Sequence, residues 1–322
     1  MSQKEFQAKI IVITGPTASG KTALSIQLGF WLNSAKIKRL FGIGGSEIIS
    51  ADSRQVYKGM DIGTGKITKK EMAGIPHHLL DVVSPQKRFT FAQYKNLAEK
   101  ELKGIIKKKK IPIICGGSYF YIKSLIDGLV IPKVKPDWQL RKKLDKKTAQ
   151  QLYKMLVKTD PQRAKTIDQY NKRRLIRALE ICLKIKGPVP ELKTNPLPYP
   201  VLILGVTRSP QTLKKLIKKR LLKRLEEGMA EEVQKLHQSG LSWQKLEDFG
   251  LEYRFLARYL QKRITYQEMV QTLEKEIWHF AKRQITWFRK DLRINWVKNY
   301  KKTETLTKDF LKTEKSKIEM NK

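Results

Sequence analysis

The sequence predicts an α/β fold: a parallel sheet with helices on both faces and a helical insertion domain. Four short apolar runs, KIIVIT, SEIISAD, IPIIC and PVLILGVT, carry consecutive branched residues without alternation. That is the pattern of strands buried on both faces. Helix-like segments separate the runs, and strands joined through helices pair in parallel. The first run leads into GPTASGKT, which fits G-x-x-x-x-G-K-[ST] and makes the sheet P-loop NTPase-like.

The elements follow in order. After the glycine loop comes the helix KTALSIQLGFWLN, then SEIISAD as a second strand and IPIIC as a third. The third strand opens through a turn into the helix of GGSYFYIKSLIDGL, and a late strand covers Val201 to Thr207. Between them, residues 133–199 lack strand-like runs and read as helices, with DWQLRKKLDKK and DQYNKRRLIRALEICLKI as examples. This insertion closes in the proline-rich KGPVPELKTNPLPYP. Residues 1–132 and 200–322 then form the P-loop core with its C-terminal helices. Past the late strand the chain reads as helical, with Ile277, Ala281, Ile285 and Phe288 spacing one apolar stripe. The charged end KNYKKTETLTKDFLKTEKSKIEMNK is expected to fray, and Lys107 to Lys110 to form a solvated turn.

Of the 322 residues, 40% are hydrophobic and 9% aromatic, enough for a real core. Lys and Arg number 67 against 30 Asp and Glu, a formal charge of +37. Lysine spread over every solvated face explains such a surplus, and so does a polyanionic partner such as nucleic acid. Two cysteines, Cys115 and Cys182, and four histidines exclude a disulfide framework or a zinc cluster. A reducing cytoplasm is the expected compartment. The start MSQKEFQAKIIVIT lacks a signal-peptide apolar segment, and no apolar run approaches the ~20 residues of a membrane span.

Three motifs carry chemistry. In Gly15, Pro16, Thr17, Ala18, Ser19, Gly20, Lys21 and Thr22, the glycines let backbone N–H groups curl around phosphate oxygens. Lys21 adds a point charge, and the Thr22 hydroxyl is a candidate Mg²⁺ ligand. By itself the motif reads as ATP-binding or nucleotide-binding and does not identify the phosphate. Asp52 directly follows a buried strand, so it belongs at the carboxyl end of the sheet beside the loop. It could position a metal through water or cap a helix. The polar string Ser53, Arg54, Gln55 behind it suits the reading of a base better. Gly116-Gly117-Ser118 stands at another strand end, where Ser118 either caps its helix or joins the site.

The segments GPTASGKT, IISADSRQVYKGMDIGT, PHHLLDVV, IPIICGGSYFYIKSLIDG, RRLIRALE, KKRLLKRLEEGMAEEV and AKRQITWFR resemble, in order, those of bacterial-type tRNA dimethylallyltransferases, or tRNA isopentenyltransferases. The resemblance runs from about residue 10 to about residue 290. It implies transfer of a dimethylallyl group from dimethylallyl diphosphate to the N6 amine of the adenosine 3′-adjacent to the anticodon, in tRNAs reading codons that begin with U. Residues Gly15 to Thr22 would hold the diphosphate with Mg²⁺, helped by Arg220, and Asp52 would act as general base. Ser53, Arg54, Gln55 and Ser118, which stands where most members have threonine, would contact the flipped base and its neighbours. Arg141 and the run Arg173, Arg174, Leu175, Ile176, Arg177 match positions that contact the tRNA anticodon stem-loop.

Some positions depart from the family pattern. KIKRLFGIGG lengthens the segment before SEIISAD, Leu216 replaces a usual arginine, and GYR is stretched to GLEYR around Arg254. The competing functions are a P-loop small-molecule kinase and an isopentenyltransferase acting on free adenylate. Neither accounts for an arginine-bearing insertion. A monomer suffices for the chemistry, and no membrane partner is expected.

Overall fold

The computed structural model describes residues 6–130, 132 and 134–313. The chain divides into two compact units. One comprises the chain up to Asp127 and from Pro196 onward; the other is Gly128–Asn195.

The first unit is organised by a six-stranded sheet in the order β3-β2-β4-β1-β5-β6. The strands are β1 (Ile10–Thr14), β2 (Ser46–Ser50), β3 (His77–His78), β4 (Ile111–Gly116), β5 (Val201–Val206) and β6 (Ile294–Val297). Every pairing is parallel. Alternate residues of β1 serve opposite faces, as the period of two demands. Ile10 and Val12 pack with Ile49, Ile114 and the helices Phe91–Lys107 and Tyr119–Ile126. Ile11 and Ile13 pack with Ile48, Ile113, Leu204 and the P-loop helix Lys21–Asn33. All four β1 side chains are fully buried, each contributing ~1.5–3 kcal/mol. A third apolar cluster lies off the sheet, where Val56, Tyr57 and Met60 meet the helices Pro210–Glu226, Met229–Gln238 and Tyr266–Arg289.

The four strands read from the sequence are present, and the structure adds two at the sheet edges. β3 is only two histidines long, and β6 (INWV) sits within a charged stretch, so neither has a continuous apolar run. The charged end is corrected as well. Tyr300–Lys312 is a helix whose Tyr300, Leu306, Phe310 and Leu311 pack on the sheet cluster. Buried Lys9 donates to the carbonyls of Phe310, Leu311 and Thr313, closing the C-terminal end of that helix. The remainder of that segment, 314–322, lies outside the described residues.

The lysine run is not merely a solvated turn. Lys108 and Lys110 reach the Glu47 carboxylate at 3.2 and 2.7 Å, and His78 Nε2 meets it at 2.8 Å. Burial alone would raise the Glu47 pKa, but hydrogen bonds from Lys110, His78 and Lys108 hold it down at about 2. The inserted KIKRLFGIGG contributes the short helix Ala35–Phe41, ended by Gly42 in the left-handed region.

The second unit contains the helices Trp138–Asp145, Ala149–Thr159, Pro161–Thr166 and Lys172–Ile185. Leu144, Leu152, Leu156, Leu175, Leu179 and Cys182 form its core. The sequence reading drew this insertion at 133–199, whereas the unit spans Gly128–Asn195. An antiparallel neck sets the difference: Leu129 bridges Thr194, and the Val130 amide donates to the Lys193 carbonyl at 2.8 Å. Lys133 lies outside the described residues.

Buried Glu180 ties the unit together. It accepts from Arg141 Nε and Nη2 at 2.8 and 2.7 Å, from the Asp137 amide at 2.7 Å, and from Arg177. Burial works against its charge, but these donors prevail and lower its pKa.

Candidate active site

The P-loop joins β1 to the helix Lys21–Asn33. Gly15 has φ 144°, and a Cβ there would lie 2.6 Å from the Val206 carbonyl oxygen, so only glycine fits this turn. Lys21 Nζ donates to the Pro16 carbonyl at 2.7 Å. Burial lowers the Lys21 pKa from 10.5 to about 8, with Arg220 adding to the shift. Burial likewise lowers the Arg220 pKa to about 10, and Arg224 adds to it. The Arg220 guanidinium donates to the Thr17 hydroxyl. Among the described residues neither cation forms an ion pair; Asp52 and Glu252 act on them only at a distance. Two desolvated cations left without carboxylate contact fit a polyanion such as a diphosphate.

The loop is fastened from behind by Gln284, on the helix Tyr266–Arg289. Its Oε1 accepts from the Thr17 amide at 2.7 Å, and its Nε2 donates to the Gly117 carbonyl at 2.9 Å. A Cβ on Gly117 would lie 2.4 Å from that nitrogen, so the glycine makes room for the clamp.

Asp52 lies just past β2, at the carboxyl end of the sheet. Its Oδ1 accepts from the Arg54 amide at 2.8 Å, an Asx turn with no helix following. The Ser118 hydroxyl makes no cap bond to its helix. It accepts instead from the Ser53 amide at 3.1 Å, which joins the Asp52 turn to the start of the helix Tyr119–Ile126. The Gln55 amide is committed to the protein: it donates to the Gly65 carbonyl at 3.0 Å and accepts from Ser50 Oγ at 3.3 Å. Arg54 places its guanidinium over the Phe249 ring, 5.7 Å from the centroid.

Thr17, Lys21, Thr22, Asp52, Gln55 and Arg220 line one cavity of about 100 Å³. Lys21, Thr22 and Arg220 also line a larger neighbouring cavity of about 530 Å³. The phosphate cradle and the carboxylate thus share one space, and the cradle opens on a second.

The arginines read as RNA contacts belong to the other unit and differ among themselves. Arg173 and Arg174 are exposed. Arg141 and Arg177 are engaged by Glu180. Leu175 and Ile176 are buried in the unit's core, so their side chains hold the helix rather than face a partner. Of the departures, Leu216 is partly exposed, and Arg254 Nε donates to the Glu247 carbonyl at 3.2 Å.

The sequence reading missed two residues of the site. Gln284 follows Ile277 and Ala281 and precedes Phe288 on the apolar stripe, and a polar residue on such a stripe is the signal that could have found it. His77, on the edge strand β3, lines the cavity, with its Nδ1 2.8 Å from the Ile75 carbonyl and Nε2 buried without a partner. Burial lowers its pKa. No sequence pattern marks a strand of two residues.

A family model described as IPP transferase matches residues 55–291. The chain belongs to the IPP transferase family. Its members include the tRNA dimethylallyltransferase of Acetivibrio thermocellus, 38% identical over 296 residues, which cover 89% of this chain and 91% of that protein. The tRNA dimethylallyltransferase 2 of Citrifermentans bemidjiense is 40% identical over 296 residues, covering 89% of this chain and 90% of the relative. Among solved structures, the full-length tRNA isopentenylpyrophosphate transferase of Bacillus halodurans superimposes with a TM-score of 0.70 at 34% identity, over 98% of this chain and all (100%) of that one. A eukaryotic dimethylallyltransferase acting on tRNA gives 0.68 at 26% identity, over 87% of this chain and 70% of its own. These likenesses extend the P-loop NTPase-like sheet to an IPP transferase architecture.

Proposed function

We propose that this IPP transferase moves the dimethylallyl group of dimethylallyl diphosphate onto the N6 amine of the adenosine 3′-adjacent to the anticodon. The acceptors are tRNAs reading codons that begin with U, and the products are N6-isopentenyladenosine and diphosphate. One observation carries the reading: desolvated Lys21 and Arg220, which form no ion pair among the described residues, share a cavity with the Asp52 carboxylate. A leaving polyanion and a proton acceptor are thereby served in one place.

The allylic C–O bond breaks as its charge passes to the diphosphate, which Lys21, Arg220 and the loop amides neutralise. The N6 amine forms the new C–N bond, and its proton goes to Asp52. Ser118 acts through the Ser53 amide, fixing the turn that aims the carboxylate. The adenine must leave its stack, at a cost of a few kcal/mol offset by contacts with the protein. Among the described residues no cluster of three His, Cys, Asp or Glu could hold a metal alone. The Thr22 hydroxyl with diphosphate oxygens fits Mg²⁺, which when bound supplies further neutralisation of the leaving group. No described helix is long and apolar enough to cross a membrane, and the reading places the enzyme in the cytoplasm as a monomer.

Incubation with tRNA and dimethylallyl diphosphate, followed by mass spectrometry of the nucleosides, tests this directly. Isopentenyladenosine is expected. Phosphate transfer in an ATP control, or prenylation of free adenylate alone, would replace the reading with one of its competitors. Asp52→Ala is expected to lower turnover by about 10²–10⁴-fold while tRNA and donor binding persist. Near-normal turnover would remove Asp52 as the base.

A further inference from the structure

Beside the Asp52 turn stands a group of aromatic side chains that the reaction above does not use. Tyr119 and Phe120 open the helix that begins immediately after Ser118. Trp287 joins them from the helix that carries Gln284. The Tyr119 and Trp287 rings stack at 5.9 Å between centroids with 24° between planes, and Phe120 meets Trp287 at 5.8 Å. Tyr119 is backed by buried Phe288 at 5.8 Å, so the group stands on the core. Phe120 is 49% exposed and Trp287 36%. Apolar rings of this size are normally covered in a folded protein.

Charge surrounds the rings. Lys123 lies over Tyr119 at 5.8 Å and Lys290 over Trp287 at 5.3 Å. Lys282, Arg283 and Arg289 are exposed on the same helix as Trp287. Partly exposed aromatic rings with lysines against them suit unpaired nucleotides, whose bases stack while their phosphates meet the lysines. A protein partner would find apolar area there too, but it would have to answer a surround in which Lys123, Lys282, Arg283, Arg289 and Lys290 outnumber Asp127 and Asp291.

We infer that Phe120 and Trp287 form a stacking platform for an unpaired nucleotide flanking the target adenosine. The platform rests on the tRNA-prenylation reading for its ligand. It goes beyond that reading by placing a sequence-tolerant grip on the loop bases outside the insertion. The Ser118–Ser53 hydrogen bond links it to the Asp52 turn, so a base stacked there would lie beside the reacting one.

The test uses the full chain and an anticodon stem-loop RNA with 2-aminopurine in place of the base 3′ to the target adenosine. Binding to the unaltered protein is expected to quench the probe. Phe120→Leu keeps an apolar side chain of similar bulk but removes the ring. It is expected to lose the quench and raise KM for the RNA about tenfold, with the effect falling on KM rather than kcat. Phe120→Tyr should restore both, a rescue that a merely structural role would not show, and melting curves check the fold of each variant. A Phe120→Leu protein that quenches and binds as before would overturn the platform, whatever else might then cover those rings. An unaltered protein that quenches the probe yet transfers no prenyl group would remove the reaction and leave the platform standing.

Discussion

Two groups of basic side chains in this molecule look alike in sequence and are opposite in physics. In the phosphate cradle, Lys21 and Arg220 are desolvated and reach no carboxylate among the described residues. In the helical unit, Arg141 and Arg177 converge on buried Glu180, which also takes an amide donor. The helical cluster is complete in itself and stabilises the unit. The cradle holds its two cations without a carboxylate, an arrangement suited to an anionic ligand. A desolvated cation without a carboxylate partner is thus a candidate for a ligand site, whereas cations converging on a buried carboxylate make a structural joint.

That contrast can be broken experimentally. Lys21→Met should lower transfer by at least about 10³-fold, as removal of a leaving-group stabiliser does, while thermal stability holds or rises because a desolvated charge is gone. A clear fall in Tm would show the cradle to be structural after all. Glu180→Ala should cost the helical unit ~3 kcal/mol by stranding its arginines, read as early loss of protection in hydrogen exchange across Lys172–Ile185. Arg173→Ala with Arg174→Ala, both exposed, should weaken tRNA binding about tenfold and flatten its salt dependence. Unchanged binding would withdraw the RNA grip from that helix.

The smallest effect concerns pH. Burial holds the Lys21 pKa in the folded chain at about 8, below its ordinary 10.5. The buried ammonium thus opposes folding below about pH 8, and that opposition is relieved as pH rises toward 10.5. In the proposed reaction donor binding needs the ammonium and runs the other way. Donor kcat/KM should fall above about pH 8, and Lys21→Arg should move that limb to higher pH. A profile flat to pH 10 in the unaltered enzyme would show Lys21 charged throughout.

How much of this was legible beforehand depends on where the information lies. The central strands were plain because burial on both faces demands unbroken Ile and Val, as in β1. The edge strands were hidden because β3 needs only two residues and β6 carries Asn and Trp. The helix Tyr300–Lys312 was taken for a frayed end because its apolar residues are spread thinly among charges. In the site, Lys21 and Asp52 announced themselves through motif and strand end. The commitment of Gln55 to Ser50 and Gly65 is tertiary, and so is the division of RRLIR into exposed Arg173 and Arg174, Glu180-bound Arg177 and buried Leu175 and Ile176. Local spacing shows which residues share a helix, but the facing element decides which of them are buried.

The Lys9 clamp has a consequence in time. β1 is flanked by β4 and β5, and the lysine just before it donates to the carbonyls of Phe310, Leu311 and Thr313, far along the chain. During synthesis β1 would wait for partners far along the chain, while the helical unit has its neighbours close in sequence and can form early. A nascent chain halted near residue 200 should protect Lys172–Ile185 from protease while Ile10–Thr14 is still cleavable. β1 would then settle only after the helical unit, although it precedes that unit in the chain.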